Sequence, residues 1–285
     1  MEKNFIFHFS FFILFVSLHR KKLLDLLTFH MDKITAVIIT LNEELNIERC
    51  LRSLDGIADE IIVVDSDSTD RTQQICTQYN FQLSTFNFQL HPWEGYAAQK
   101  NFANSLASHP WILSIDADEA LSPELQKELL DIKKAGLDPH TLYFLNRLTN
   151  YCGHWIRHCG WYPDRCPRLF HKDSAHWEGH IHELLTPSSH LSTFNLKGHL
   201  LHYSFHDFHD HALRTVKYAT MAGEQAFQQG KRPRPVALKT LGTFLRNYIL
   251  RLGFLDGRSG YTVCKMSSFY TFIKYTTLRE VKGER

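Results

Sequence analysis

The chain has 285 residues, 44% hydrophobic and 22% charged, enough apolar side chain for one large folded domain plus an appendage; a disordered polymer is excluded. Its net charge of +2 conceals a division, because residues 231–285 carry 12 Lys and Arg against 3 Asp and Glu and the preceding body is acidic. A basic tail on an acidic body, with no nucleic-acid motif, argues against nucleic acid as a partner and for an anionic membrane surface.

In chain order, Phe5 to Leu18 is apolar at 11 of 14 positions. A bilayer-spanning helix needs ~20 such residues, the basic cluster Arg20-Lys21-Lys22 follows the run, and no small-residue cleavage site appears. Residues 1–30 are therefore expected outside the folded domain, with a weak signal anchor as the competing reading. From residue 34 short β-branched runs alternate with helical stretches: Ile34–Thr40, Glu44–Leu54, Glu60–Asp65, Asp70–Tyr79, Phe81–Phe86, Gly95–Ser108, Trp111–Ile115 and Pro123–Ala135, the last with Ser122 as its N-cap. Four such βα units predict an α/β fold with a mostly parallel central sheet, whose ligands sit beyond the carboxyl ends of the strands.

After a strand at Thr141–Leu148 the sequence turns aromatic, histidine-rich and irregular as far as residue 206. A long helix over Asp207–Gln229 and a Gly-Pro-rich breaker at 230–235 follow. Leu241, Phe244, Leu245, Tyr248, Ile249 and Leu252 then recur at helical spacing among Lys239, Arg246 and Arg251, which predicts a basic amphipathic helix able to lie in a membrane interface. The expected division is thus 1–30 as an extension, 31–230 as the catalytic domain and 231–285 as the basic C-terminal helices. The six cysteines contain no C-x-x-C pair, and Cys152, Cys159 and Cys166 lack the spacing of a zinc knuckle, so all are expected as reduced thiols of a cytoplasmic protein.

Acidic groups follow three of the strands, in Thr40-Leu41-Asn42-Glu43-Glu44, Asp65-Ser66-Asp67-Ser68-Thr69-Asp70 and Asp116-Ala117-Asp118-Glu119. One such cluster alone reads as a helix cap. Three at corresponding strand ends predict a shared edge where carboxylates repel one another unless they meet a cation or ligand donors, and a nucleotide diphosphate with a divalent metal supplies both.

These segments, with Gln99-Lys100-Asn101-Phe102-Ala103 between them, resemble family 2 glycosyltransferases, in particular the lipopolysaccharide-core glucosyltransferase-like branch, over about residues 33–280. The resemblance implies a GT-A fold and a nucleotide-sugar donor bound by Thr40, Asn42, Glu43, Glu44, Asp65, Asp67, Lys100 and Asn101. It implies Mn²⁺ or Mg²⁺ at Asp116 and Asp118, with His202 as a third ligand. It also implies a catalytic base at Glu183, with Glu178 as the other candidate, and an acceptor-side loop offering Trp155, Arg157, Trp161 and Arg168. The expected reaction is inverting transfer of a sugar to a lipopolysaccharide-core or related glycolipid hydroxyl at the inner face of the cytoplasmic membrane. A sugar nucleotidyltransferase is the first rival, disfavoured by the absence of a Gly-rich phosphate loop after the first strand. The second, a non-catalytic glycan-binding scaffold, would not need the full carboxylate set.

Overall fold

The computed structural model describes residues 31–79, 81–179, 183–232 and 235–283, so the expectation for residues 1–30 lies outside the described residues. Strand β1 (Ile34–Thr40) is central: six of its seven residues are buried, as a strand covered on both faces requires. It pairs in parallel with β2 (Glu60–Asp65) on one side and β4 (Trp111–Asp116) on the other, and β3 (Thr85–Leu90) extends the parallel block beyond β2. Helices α1 (Ile47–Leu54), α2 (Thr72–Gln78) and α3 (Tyr96–Ser105) make the crossovers, so the α/β class and the parallel block agree with expectation.

The register sets the site. Thr40 lies opposite Asp65 and Ile39 opposite Asp116, so three strand ends finish at one level. The third strand itself starts four residues later than its apolar signal, because Phe81 belongs to the preceding loop and stacks on Phe86 at 4.6 Å.

Beyond β4 the sheet turns mixed. A two-residue turn after Asp116 leads into β5 (Glu119–Leu121) and then α4 (Pro123–Ala135), whose Leu125 amide donates to Ser122 Oγ at 3.2 Å. Strands β6 (Thr141–Tyr151), β7 (His154–Trp155), β8 (Asp164–His171) and β11 (Ser192–Phe205) complete the large sheet in the order β3-β2-β1-β4-β8-β6-β11-β5, with β7 on β6. A separate hairpin joins β9 (Ala175–Glu178) to β10 (Leu184–Pro187). The stretch expected as irregular up to residue 206 therefore contains most of the mixed half. Strand β8 runs antiparallel to β4 and β6, and β11 runs parallel to β6 and antiparallel to β5, pairings set far away in sequence, and their interrupted apolar pattern hides them.

Helix α5 (Phe208–Gln228) begins at Asp207, which accepts from the Asp210 amide at 2.8 Å. It packs along α7 (Gly257–Lys282), where Gly223 permits the approach: a Cβ there would lie 2.8 Å from the Lys274 carbonyl oxygen. Helix α6 (Val236–Leu245), a π-helical turn (Arg246–Leu250) and a 3-10 turn (Gly253–Asp256) lie against α7 as well. A second core of Tyr151, Ile156, Cys159, Val263 and Cys264 ties these C-terminal helices to the β6–β8 connection. All six cysteines are free thiols.

Candidate active site

The first two strand-end loops are stitched together. Asn42, in the left-handed region at φ 56°, donates its amide to Ser68 Oγ at 2.8 Å, and its side-chain oxygen accepts from the Thr69 amide at 2.8 Å. The Glu43 amide donates to Thr72 Oγ1, and Glu44 accepts from Arg71. Asp65 is fully buried and accepts from both the amide and hydroxyl of Ser68, while Asp67 is exposed at φ 68°. Asn42, Glu44 and Asp65 thus build the loop that leaves Glu43 and Thr40 on the wall of a cleft of about 440 Å³. The Thr40 hydroxyl is buried with no hydrogen-bond partner among the described residues. Burial pushes the Glu43 carboxyl up to about 7, against a hydrogen bond from Asn46 and helped by the charge of Asp118.

Asp116, Asp118 and His202 line the same cleft, together with Trp93, Tyr96 and Arg214. Pairing of β5 with β11 puts Glu119 opposite His202, which brings His202 Nε2 to 3.2 Å from Asp118 Oδ2. Thr149 lies 3.3 Å from the other ring nitrogen. Burial disfavours the imidazolium of His202, but Asp118 outweighs it and raises the pKa.

Asp116 has a different environment. Lys100 Nζ sits 2.9 Å from one carboxylate oxygen and Arg168 2.6 Å from the other. Burial alone would raise this carboxyl; Arg168 and Lys100 outweigh it and hold it well below the usual carboxylate range. Arg168 is 4% exposed, so it stands behind the cleft wall, and it also bonds buried Glu119 at 2.6 Å. Glu119 in turn accepts from the Asp116 amide, closing a compact charge network. Carboxylate oxygen and imidazole nitrogen at this separation fit neighbouring positions around one divalent cation, with phosphate oxygens and water completing the shell. Asp118 and His202 thus stand within ligating reach of one another, while Asp116, on the same cleft wall, has its carboxylate oxygens paired with Lys100 and Arg168. Among the described residues no group of three or more His, Cys, Asp and Glu side chains converges as a metal site.

Lys100 is buried, 4.6 Å from the Trp177 ring centroid, and reaches Glu183 Oε1 at 3.0 Å while holding Asp116. Asn101 is spent on the β9 backbone, bonding the Trp177 amide at 2.9 Å and its carbonyl at 2.8 Å. This pair on α3 anchors the hairpin that carries Glu183. Glu178 points elsewhere: its side chain is 58% exposed and bonds His176 and Thr186.

The expected acceptor residues divide. Trp161 stacks on Phe205 at 5.6 Å and lines a cavity of about 420 Å³ that shares His202 with the cleft. Trp155 and Arg157 border a larger cavity of about 750 Å³ with Glu124 and His199, and Arg157 also lines a smaller one with His158 and Pro163. Sequence reasoning counted Glu119 in the acidic Asp116–Glu119 run but missed its role as the buried partner of Arg168. It missed Arg147, 3.6 Å from Glu119, and Arg214, which enters the cleft from α5 with no local signal.

Residues 35–151 match the family model described as Glycosyl transferase family 2. An uncharacterized glycosyltransferase of Rickettsia bellii is 31% identical over 260 residues, 87% of each chain. Lipopolysaccharide core biosynthesis glycosyltransferase LpsC of Rhizobium meliloti is 33% identical over 251 residues, covering 84% of this chain and 89% of LpsC. Among solved structures, a mannosyltransferase of Pyrobaculum calidifontis aligns at a TM-score of 0.46 with 16% identity, over 82% of this chain and 73% of that one.

Proposed function

Because the chain belongs to glycosyl transferase family 2, we propose that it transfers a sugar, with inversion, from a nucleotide-sugar donor to a hydroxyl of a lipopolysaccharide-core or related surface glycan. The similarity to LpsC supports that acceptor class. The observation that carries the chemistry is the convergence of Thr40, Glu43, Asp118 and His202 on one cleft, with Lys100 joining Asp116 to Glu183 behind it.

In this reading the nucleotide lies over the ends of β1 and β2, where Glu43 and the free Thr40 hydroxyl meet its polar edges, and the exposed rings of Trp93 and Tyr96 offer stacking surfaces. Asp118 and His202 would hold a divalent cation, which would supply charge stabilisation for the departing diphosphate. Glu183 accepts the proton of the acceptor hydroxyl as that oxygen attacks the anomeric carbon from the face opposite the leaving group. Lys100 fixes Glu183 and Asp116 relative to each other, and Arg168 with Glu119 fixes Asp116, so the acidic wall is set before ligands arrive.

Incubation with Mn²⁺ or Mg²⁺, a panel of nucleotide sugars and lipopolysaccharide-core acceptors tests the reading. Nucleoside diphosphate release with a glycosylated product of inverted anomeric configuration is expected. Pyrophosphate release, or retained configuration, would overturn it.

A further inference from the structure

Helix α6 and the turns after it are apolar on two sides. On the inner side the Thr240 carbonyl accepts from Ser268 at 2.8 Å, Thr271 donates to Thr243, Asn247 is buried, and Phe244 and Tyr248 pack beside Val263 and Cys264 of α7. The outer side carries Leu238, Leu241, Leu245, Ile249, Leu250 and Leu252, each 41 to 77% exposed. Phe254 and Leu255 extend the ridge, both about half exposed. The expected stripe is thus split: Phe244 and Tyr248 serve the fold, whereas Leu241, Leu245, Ile249 and Leu252 face outward. A contiguous exposed apolar ridge of this length marks an interaction surface.

Charge selects the occupant. Residues 231–255 contain six Lys or Arg and no Asp or Glu, and Lys231, Arg232, Arg246 and Arg251 are exposed around the ridge. Protein interfaces favour Tyr, Trp, Phe and Met at their centres, whereas this ridge is almost wholly Leu and Ile flanked by cations, the composition of a surface that inserts shallowly among anionic headgroups. No helix among the described residues is long and apolar enough to cross a membrane. We infer that the outer face of residues 236–255 docks on an anionic lipid bilayer, with the leucine ridge in the headgroup–acyl boundary and the basic residues at the headgroups.

The ridge also connects to the cleft. Leu250 and Leu252 border a cavity of about 370 Å³ with Arg157 and His158, and that cavity shares Gly160 and Pro163 with the one that reaches His202. Docking in this pose opens a route from the bilayer surface to the cleft, so an amphiphilic acceptor need not leave the membrane. This corollary rests on the proposed transfer reaction; the docking itself does not.

The test uses the full chain and vesicles of phosphatidylcholine alone or mixed equally with phosphatidylglycerol, scored by co-sedimentation without any sugar substrate, so its outcome is independent of catalysis. Binding to the mixed vesicles is expected. The variant Leu241→Gln, Leu245→Gln, Ile249→Gln should lose it, and Arg232→Gln, Lys239→Gln, Arg246→Gln should lower the partition coefficient about a hundredfold while keeping the wild-type circular dichroism. The charge variant changes only side chains outside the core and keeps the proposal testable if the apolar variant misfolds. Unchanged binding by the charge variant would overturn the inference and leave attachment to another part of the chain. Equal binding to both vesicle types would do the same. So would a wild-type dimer that the apolar variant dissociates, since the ridge would then be covered by a second copy.

Discussion

At the scale of single residues, the site separates carboxylates of the same chemical type by their partners. Asp116 has both oxygens neutralised by Lys100 and Arg168, whereas Asp118 lines the cleft with His202 at 3.2 Å as its ion-pair partner. Asp118→Asn keeps the shape but removes the charge available to a cation, so kcat should fall by roughly 10²–10³ with the fold intact. Turnover measured across a Mn²⁺ titration, alongside a melting curve, checks this; near-normal kcat would remove Asp118 from the chemistry. Glu183 and Glu178 are separated the same way, one tied to Lys100 and the other solvated on the hairpin. Glu183→Gln should lose about 10²–10⁴ in kcat while donor affinity by calorimetry stays near wild type, and Glu178→Gln should change neither. The opposite ranking would move the base to Glu178.

At the scale of elements, the buried cation of β8 ties strand to strand. Arg168 joins Asp116, partly exposed on the cleft wall at the end of β4, to fully buried Glu119 at the start of β5. Arg168→Met leaves the buried Glu119 carboxylate beside Asp116 with one cation lost, a change that costs about 3–5 kcal/mol in stability. Urea denaturation followed by circular dichroism should show the midpoint falling without a change in slope. A second substitution, Glu119→Gln, should restore part of the loss, because it removes one of the stranded charges; no recovery would show that the two groups do not act together. The same network gives Asp116 two cationic partners that its sequence context does not announce, because a strand-end carboxylate looks alike in sequence whether it meets a metal or a guanidinium.

At the scale of the whole molecule, the C-terminal helices are fastened to the sheet through α5. His211 on that helix is buried against Phe205 and Trp161, and its Nδ1 lies 3.0 Å from the Tyr151 hydroxyl. Burial is the main cause that lowers its pKa from 6.5 to about 4. The unfolded chain therefore takes up the proton first as pH falls, so the stability linked to His211 is complete above pH 6.5 and is lost progressively toward pH 4. Melting temperature should decline through that window, and His211→Gln, which cannot titrate, should flatten the decline. An identical slope in the variant would place the acid sensitivity elsewhere.

Much of the parallel block was legible in the sequence. Ile34–Thr40 and Glu60–Asp65 are apolar runs that start and stop where the buried strands do, and Ser122 and Asp207 announce their helices through short polar side chains at the cap. These signals are local, and a strand covered on both faces or a helix start needs nothing else to be recognised. The strand ends therefore identified Glu43 and Asp118 as cleft residues. What only the tertiary structure decided depends on register and on the curl of the sheet: the pairing of β5 with β11 that brings His202 to Asp118, the burial of Arg168 behind the wall, and the arrival of Arg214 from α5. The place of Trp155 beside Glu124 and His199 and the inward turn of Phe244 and Tyr248 belong to the same class. Spacing along a chain says which residues share a face of one element, but the neighbour that covers that face is set by contacts between residues far apart in sequence, and no local pattern encodes them.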